Sequence, residues 1–163
     1  MNDKKLNTPL KCWDIYAMHL INQAAEFTVK LELDILKGYK KKYGWLFDFE
    51  KLLYNSNYEA IVLTDANSNI EWTSKGFTKM TGYSASYSKG KRPSFLQGEK
   101  TSKHSIENIK RNLKRQDCTK ETIINYKKNG DVYNCYIEFF PLKNNRNRIT
   151  HFLALEKEVK FSS

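Results

Sequence analysis

The dipeptide Asn129-Gly130 constrains this chain more than any other feature. It stands between KETIINYKK (120–128) and DVYNCYIEFFPL (131–142), two runs rich in β-branched and aromatic residues. Asn-Gly between such runs is the strongest short-range hairpin signal. Side chains alternate across a strand with a period of two. Ile123 and Asn125 therefore share one face of the first strand, and Tyr133, Cys135, Ile137 and Phe139 share one face of the second. The other face holds Ile124 and Tyr126 on the first strand and Tyr136 and Phe140 on the second. A sheet with one solvated face would alternate cleanly between apolar and polar positions, and this one is apolar on both. A bare apolar patch of that extent is unusual on a monomer, so the back of the hairpin needs a cover.

The remaining segments fill in a sheet. EAIVLTDA (59–66) and IEWTS (70–74) read as strands joined by a turn at Asn67, Ser68 and Asn69. After the loop KNNRNR (143–148), ITHFLALEKEV (149–159) is a final strand, with Phe152, Ala154 and Glu156 on one face and Leu153 and Leu155 on the other. Between the second and third strands come short helical pieces at 75–80 and a loop at 84–93, where Gly90 and Pro93 argue against regular helix. A solvent-facing helix at 102–115 follows, with Ile106, Ile109 and Leu113 as its apolar stripe. Two strands, several helices and three strands make an α+β fold with an antiparallel sheet.

Ahead of the sheet, residues 9–42 place Ile15, Met18, Leu20, Ile21, Ala24, Ala25, Phe27, Leu31, Ile35 and Leu36 at three- and four-residue spacing. They read as one long helix or two short ones. Residues 27–35 also alternate, which is a strand signal, but the flanks favour helix. Pro9 suits a first helical turn, and Gly38 and Gly44 mark stops or weak points. A short helix is expected at 47–54. The chain divides into an N-terminal helical extension (1–56) and a second domain (57–160). The extension is the natural cover for the back of the sheet, in its own chain or swapped onto a second copy; two sheets packed in a dimer would serve equally.

Several function classes find no support. The net charge of +10 attracts phosphates and acidic partners, and the positives cluster at Lys40 to Lys42, at Lys110, Arg111, Lys114 and Arg115, and at Arg146 and Arg148. No recognition helix, zinc finger or RNA-binding motif accompanies them, so they read as solvated faces and nucleic acid is not the expected partner. Cys12, Cys118 and Cys135 are far apart and form no C-x-x-C pair, which points to reduced thiols rather than a zinc site. His19, His104 and His151 offer no ligand pair at helical spacing, so no metal or haem is expected. No apolar run approaches the ~20 residues of a membrane span, and the start, MNDKKLNTPLKCW, lacks the apolar region of a secretory signal; a cytoplasmic location is expected. There is no G-x-S-x-G, Walker loop, H-E-x-x-H or kinase signature, so an enzyme is not expected. A kinase or cyclase output would need more residues than remain, and any output is expected from a partner or from self-association.

GKRPSFLQG (90–98) and INYKKNGD (124–131), together with MTGYS (80–84) and the pair Phe152-Leu153, resemble a PAS domain, closest to its LOV (light-oxygen-voltage) branch. The resemblance runs over residues 58–159. It implies a five-stranded antiparallel sheet whose concave face and flanking short helices enclose a small pocket. LOV members hold a flavin there, and a cysteine within a GRNCRFLQG-like motif attacks it after blue light. Pro93 stands at that cysteine's place here, and proline has no nucleophile. The resemblance thus implies a domain without cysteinyl-flavin photochemistry.

Carried over one position at a time, the flavin contacts are only partly kept. Gln97 is retained, and Asn125 matches the first of two asparagines at the flavin ring edge. The second falls on Cys135, a weaker hydrogen-bonding group, unless the strand shifts by one and offers Asn134. The final-strand glutamine falls on Glu156, and the phosphate-pairing arginine that follows the cysteine is Ser94. A second phosphate arginine falls on Lys110, which keeps the charge without the fork; Arg92 partly restores what Ser94 loses. The resemblance therefore gives Gln97, Asn125, Cys135, Glu156, Arg92 and Lys110 as the ligand-binding set. Because buried polar groups without partners are costly, a non-flavin ligand or an empty pocket is expected ahead of FMN, and the cofactor is left open.

Glu156 stands out among these residues. A carboxylate facing a pocket needs a partner, and burial raises its pKa. That partner is either a cationic or hydrogen-bond-donating ligand or a lysine at the sheet edge. Asn125 reads equally as a ligand contact or as a strand residue satisfied by backbone, and Trp72 reads as core packing. The expected function is a stand-alone sensory module that couples a small-molecule pocket to protein–protein contacts, with a second copy or a signalling protein as partner. The alternatives are a cysteine-less flavin protein sensing light or redox state, and a pure dimerisation scaffold with an empty pocket.

Overall fold

A computed structural model describes residues 10–160 of the chain. Five strands form one antiparallel sheet in the order β2-β1-β5-β4-β3. They are β1 Ala60–Asp65, β2 Ile70–Thr73, β3 Thr119–Tyr126, β4 Val132–Lys143 and β5 Ile149–Val159. The last strand is thus the middle one, paired with β1 on one side and with β4 on the other.

The β3–β4 hairpin turns at Asn129-Gly130, but not through a two-residue loop. Gly130 N–H donates to the Lys127 carbonyl at 2.9 Å, Lys127 N–H donates to the Asp131 carbonyl at 2.8 Å, and Gly130 has φ 90°. This is a three-residue loop closed by a left-handed glycine. Asn129 acts through its side chain, accepting from Asp131 N–H at 3.1 Å and donating to the Asp131 carboxylate at 2.8 Å.

Four helical elements lie between β2 and β3: α3 Lys75–Thr81, α4 Ala85–Ser88, a 3-10 turn Pro93–Leu96 and α5 Lys103–Arg115. The loop expected at 84–93 therefore opens with a helical turn. Ser84 caps it by accepting from Tyr87 N–H at 3.2 Å, and Gly90, at φ 78°, follows its end. Pro93 starts the 3-10 turn, where a missing N–H costs nothing. Gly76 in α3 runs so close to β1 that a Cβ would overlap the Glu59 carbonyl. Because that neighbour is backbone, Gly76→Ala should destabilise the domain by about 3 kcal/mol, read as a lowered urea midpoint.

The N-terminal extension is one helix, α1 Leu10–Tyr43, followed by α2 Phe49–Asn55. Pro9 lies outside the described residues. Of the two expected stops or weak points, Gly38 is a weak point and not a stop: it faces solvent with nothing nearby, so it costs only ~1 kcal/mol of helix propensity. Gly44 is the terminator, at φ 68° with its N–H on the Lys40 carbonyl at 2.9 Å. Asp48 caps α2 by accepting from Lys51 N–H at 3.0 Å.

The second half of α1 and all of α2 lie on the back of their own sheet. Leu33 and Leu36 from α1, Trp45 after it, and Phe49 and Leu53 from α2 bury Ile61, Leu63, Leu142, Leu153 and Leu155. Three side-chain bonds fasten this cap, one of them from Tyr43 hydroxyl to Glu71 on β2 at 3.4 Å. Tyr58 hydroxyl donates to Glu32 on α1 at 2.7 Å, and Trp45 Nε1 donates to Thr150 Oγ1 on β5 at 2.7 Å. The cover is narrower than the expected patch. Phe140, Leu153 and Leu155 are under it, whereas Ile124, Tyr126 and Tyr136 remain half-buried at the β3–β4 end. Tyr126 instead packs against Gly98 and accepts from Lys100 N–H at 2.8 Å, and Tyr136 donates to Glu138 at 3.0 Å. Thr122, Asn134 and Glu138 dilute that end of the back face with polar groups, so it tolerates water.

Candidate functional site

The concave face of the sheet encloses a cavity of about 410 Å³, a size in the usual range for small-molecule sites of ~300–1,000 Å³. Strand alternation builds its floor: Val62 from β1, Ile123 and Asn125 from β3, Ile137 and Phe139 from β4, and Phe152, Ala154 and Glu156 from β5. The register places Ala154 between Val62 and Phe139, and Glu156 between Ala60 and Ile137. The stripe Ile106, Ile109 and Leu113 of α5 lines the opposite wall. Its role was hidden in the sequence because a half-covered stripe looks the same whether it lies on a core or on a void. The 3-10 segment adds Arg92, Pro93, Ser94, Leu96 and Gln97.

Of the six residues expected at the site, Arg92, Gln97, Lys110, Asn125 and Glu156 line the cavity. Cys135 does not. It is fully buried in the core cluster that also holds Tyr133, Phe77 and Met80. The alternative of a one-residue shift fails too, because Asn134 pairs with Ile124 and lies on the other face. Tyr133, two residues before Cys135 on the same face, was not singled out. Its hydroxyl is buried without a hydrogen-bond partner, the same condition that marks Glu156.

Glu156 is the electrostatic centre of the cavity. It is only 4% exposed, and its Oε2 has no hydrogen-bond partner. Burial pushes its pKa up to about 7, eased slightly by the Cys135 thiol beside it. Burial pushes the Cys135 thiol well up in turn, and the Glu156 charge adds to this, so the cysteine stays a neutral thiol. Asn125 is buried as well. On the cap side, His151 sits between the Tyr43 and Trp45 rings, with centroids at 4.2 and 4.9 Å. Its Nε2 is 3.3 Å from Glu71 Oε1 but not aligned to donate, and burial lowers its pKa despite that carboxylate.

No cluster of metal-ligating side chains occurs among the described residues, and no helix among them is long and apolar enough to cross a membrane.

Comparison with known proteins agrees with this architecture. Phototropin-1A of Oryza sativa subsp. japonica is 33% identical over 104 residues, covering 62% of this chain but 11% of the phototropin. The nitrogen fixation regulatory protein of Klebsiella oxytoca is 27% identical over 103 residues, covering 63% of this chain and 21% of that protein. The chain thus spans a small part of these relatives' length. Among solved structures, the dark structure of the blue-light photoreceptor Aureochrome1 LOV superposes with a TM-score of 0.65 at 24% identity, over 70% of this chain and 84% of that one. The light-state dimer of the fungal photoreceptor Vivid superposes with a TM-score of 0.58 at 21% identity, over 61% of this chain and 76% of that one. At that identity both show the fold. A family profile described as PAS domain matches residues 59–160, which is more than half of the chain, and the chain therefore belongs to the PAS domain family.

Proposed function

We propose that this chain is a sensory module, not an enzyme, in which a small molecule held in the cavity biases protein–protein contacts made through α1. The observation that carries this reading is the double use of β5. Phe152, Ala154 and Glu156 line the cavity, while Leu153 and Leu155, alternating with them, sit under the α1–α2 cap. A ligand that shifts β5 acts on both faces at once, and a ligand that prefers one cap arrangement shifts its population.

The free part of α1 supports a second copy of the chain as the partner. Trp13, Ile15, Met18, Ile21 and Phe27 are between 59% and 71% exposed. Apolar residues spread that widely around a helix mark a contact surface rather than a solvated one. A separate signalling protein is the alternative partner.

The residues present do not fit a flavin in the way the resemblance describes. Cys135 is buried and does not line the cavity, and Glu156 sets a carboxyl where an amide would stand. Arg92 and Lys110 would still suit an anionic group. With Pro93 at the adduct position and the remaining buried thiol outside the cavity, signalling is by non-covalent binding. The absorption spectrum of the purified protein, followed by mass spectrometry of whatever denaturation releases, tests this. A non-flavin molecule without a banded blue absorption supports the reading. A banded blue absorption identifies the flavin alternative, and nothing released, with a cavity that no small molecule enters, identifies a dimerisation scaffold.

A further inference from the structure

Two buried glutamates have opposite circumstances. Glu32 on α1 receives a hydrogen bond from Tyr58 at 2.7 Å and is satisfied. Glu156 is equally buried but lies on the cavity wall with Oε2 unpartnered. None of the ion pairs among the described residues includes it. Its cross-strand partners are Ala60 and Ile137, which offer no side-chain donor. The adjacent Cys135 thiol is a weak one. The sheet-edge lysine that would have made Glu156 a structural residue is absent: Lys157, next in sequence, lies over the Tyr136 ring on the back of the sheet. The cavity's own basic residues, Arg92 and Lys110, form no ion pair with it.

Glu156 lines the cavity, but its Oε2 is sealed from solvent, so a ligand there completes it by drawing the side chain toward the cavity. We propose that the pocket selects an apolar-bodied small molecule carrying an N–H donor, an amine or amidine-type nitrogen, which Glu156 receives on the cavity wall. The proposal rests on the cavity being a ligand site and adds the ligand's chemistry. The surrounding Val62, Ile123, Ile137 and Ala154 accept the apolar body. A charged donor forms short, charge-assisted bonds to a carboxylate. A molecule that presents only acceptors meets a second acceptor and leaves Oε2 unsatisfied. Because burial holds the Glu156 carboxyl partly protonated near neutrality, a cationic ligand should drive its proton off on binding, a signature that a merely structural glutamate would not give.

The test uses the full chain and two probes of similar size: 2-aminobenzimidazole, which carries N–H donors, and 2-methylbenzoxazole, which has acceptors only. Calorimetric titration should show the first binding at least about tenfold more tightly, with proton release visible as a dependence of the heat on the buffer. Glu156→Leu should abolish the preference, and Glu156→Gln should restore part of it through its carbonyl oxygen. Equal binding of both probes to the wild type, or a preference that survives Glu156→Leu, overturns donor selection and leaves the cavity as a ligand site. Binding of neither probe at millimolar concentration overturns the proposal together with the pocket reading.

Discussion

Deleting the residues before Phe47 is expected to turn this chain from a well-behaved protein into an aggregating one. The deletion removes Leu33, Leu36 and Trp45, each no more than 3% exposed, and bares Ile61, Leu63, Leu153 and Leu155, which are as deeply buried. Full burial of an aliphatic or aromatic side chain is worth ~1.5–3 kcal/mol, so three of them approach the whole stability of a domain this size, ~5–15 kcal/mol. The uncovered side chains also form one contiguous apolar patch on β1 and β5, the kind of surface that drives association. Leu36→Ala is the milder form of the same test: it leaves a cavity under α1 and should cost ~2–5 kcal/mol. Static light scattering on the deletion and urea unfolding of the point variant read the two effects. An unchanged monomer after the deletion would show that the cap does not hold the sheet.

Glu156→Gln should make the protein more stable, and only at high pH. Burial raises the folded-state pKa of Glu156 from 4.5 to about 7. For a raised pKa, the folded state binds the proton more tightly than the unfolded chain does. The neutral carboxyl's contribution is therefore fully present below pH 4.5 and is lost as pH rises through 7. Over that interval the cost of ionising the buried group reaches ~3 kcal/mol, at 1.36 kcal/mol for each pK unit. A neutral glutamine escapes this cost. Its urea midpoint should match the wild type near pH 4.5 and exceed it at pH 8. The Cys135 thiol, pushed up by its own burial, stays neutral over this range and does not mask the effect. Equal midpoints at pH 8 would mean that Glu156 finds a partner or solvent in solution.

What the sequence discloses here follows from how local each determinant is. The strands, their two faces and the α+β order are written in period-two alternation and in Asn129-Gly130, both short-range signals. The cavity wall follows from the same alternation, which is why Asn125 and Glu156 fall on it and Leu153 and Leu155 do not. The discrepancies come from packing at a distance. Whether Cys135 faces a void or a core depends on how the core fills around it, and residues as far off in sequence as Phe77 and Met80 of α3 belong to the same cluster. How far α1 reaches across the sheet depends on where Trp45 anchors, and Trp45 bonds to Thr150 at the far end of the chain. Gly38 read as a stop or a weak point because propensity is local, and in the long, anchored α1 it is only the weak point.

The pocket and the cap share one strand, and on the proposed function that sharing is what would make the chain a sensor rather than a scaffold. Ala154→Leu places extra bulk from β5 into the cavity without touching the back of the sheet, and hydrogen–deuterium exchange of the wild type and this variant tests the sharing directly. If the two faces are coupled, the amides of α1 from Leu33 to Tyr43 change their exchange along with those of β5. If the change stops at β4, β5 and α5 while α1 exchanges as before, the cavity and the cap are independent and the sensory reading is wrong.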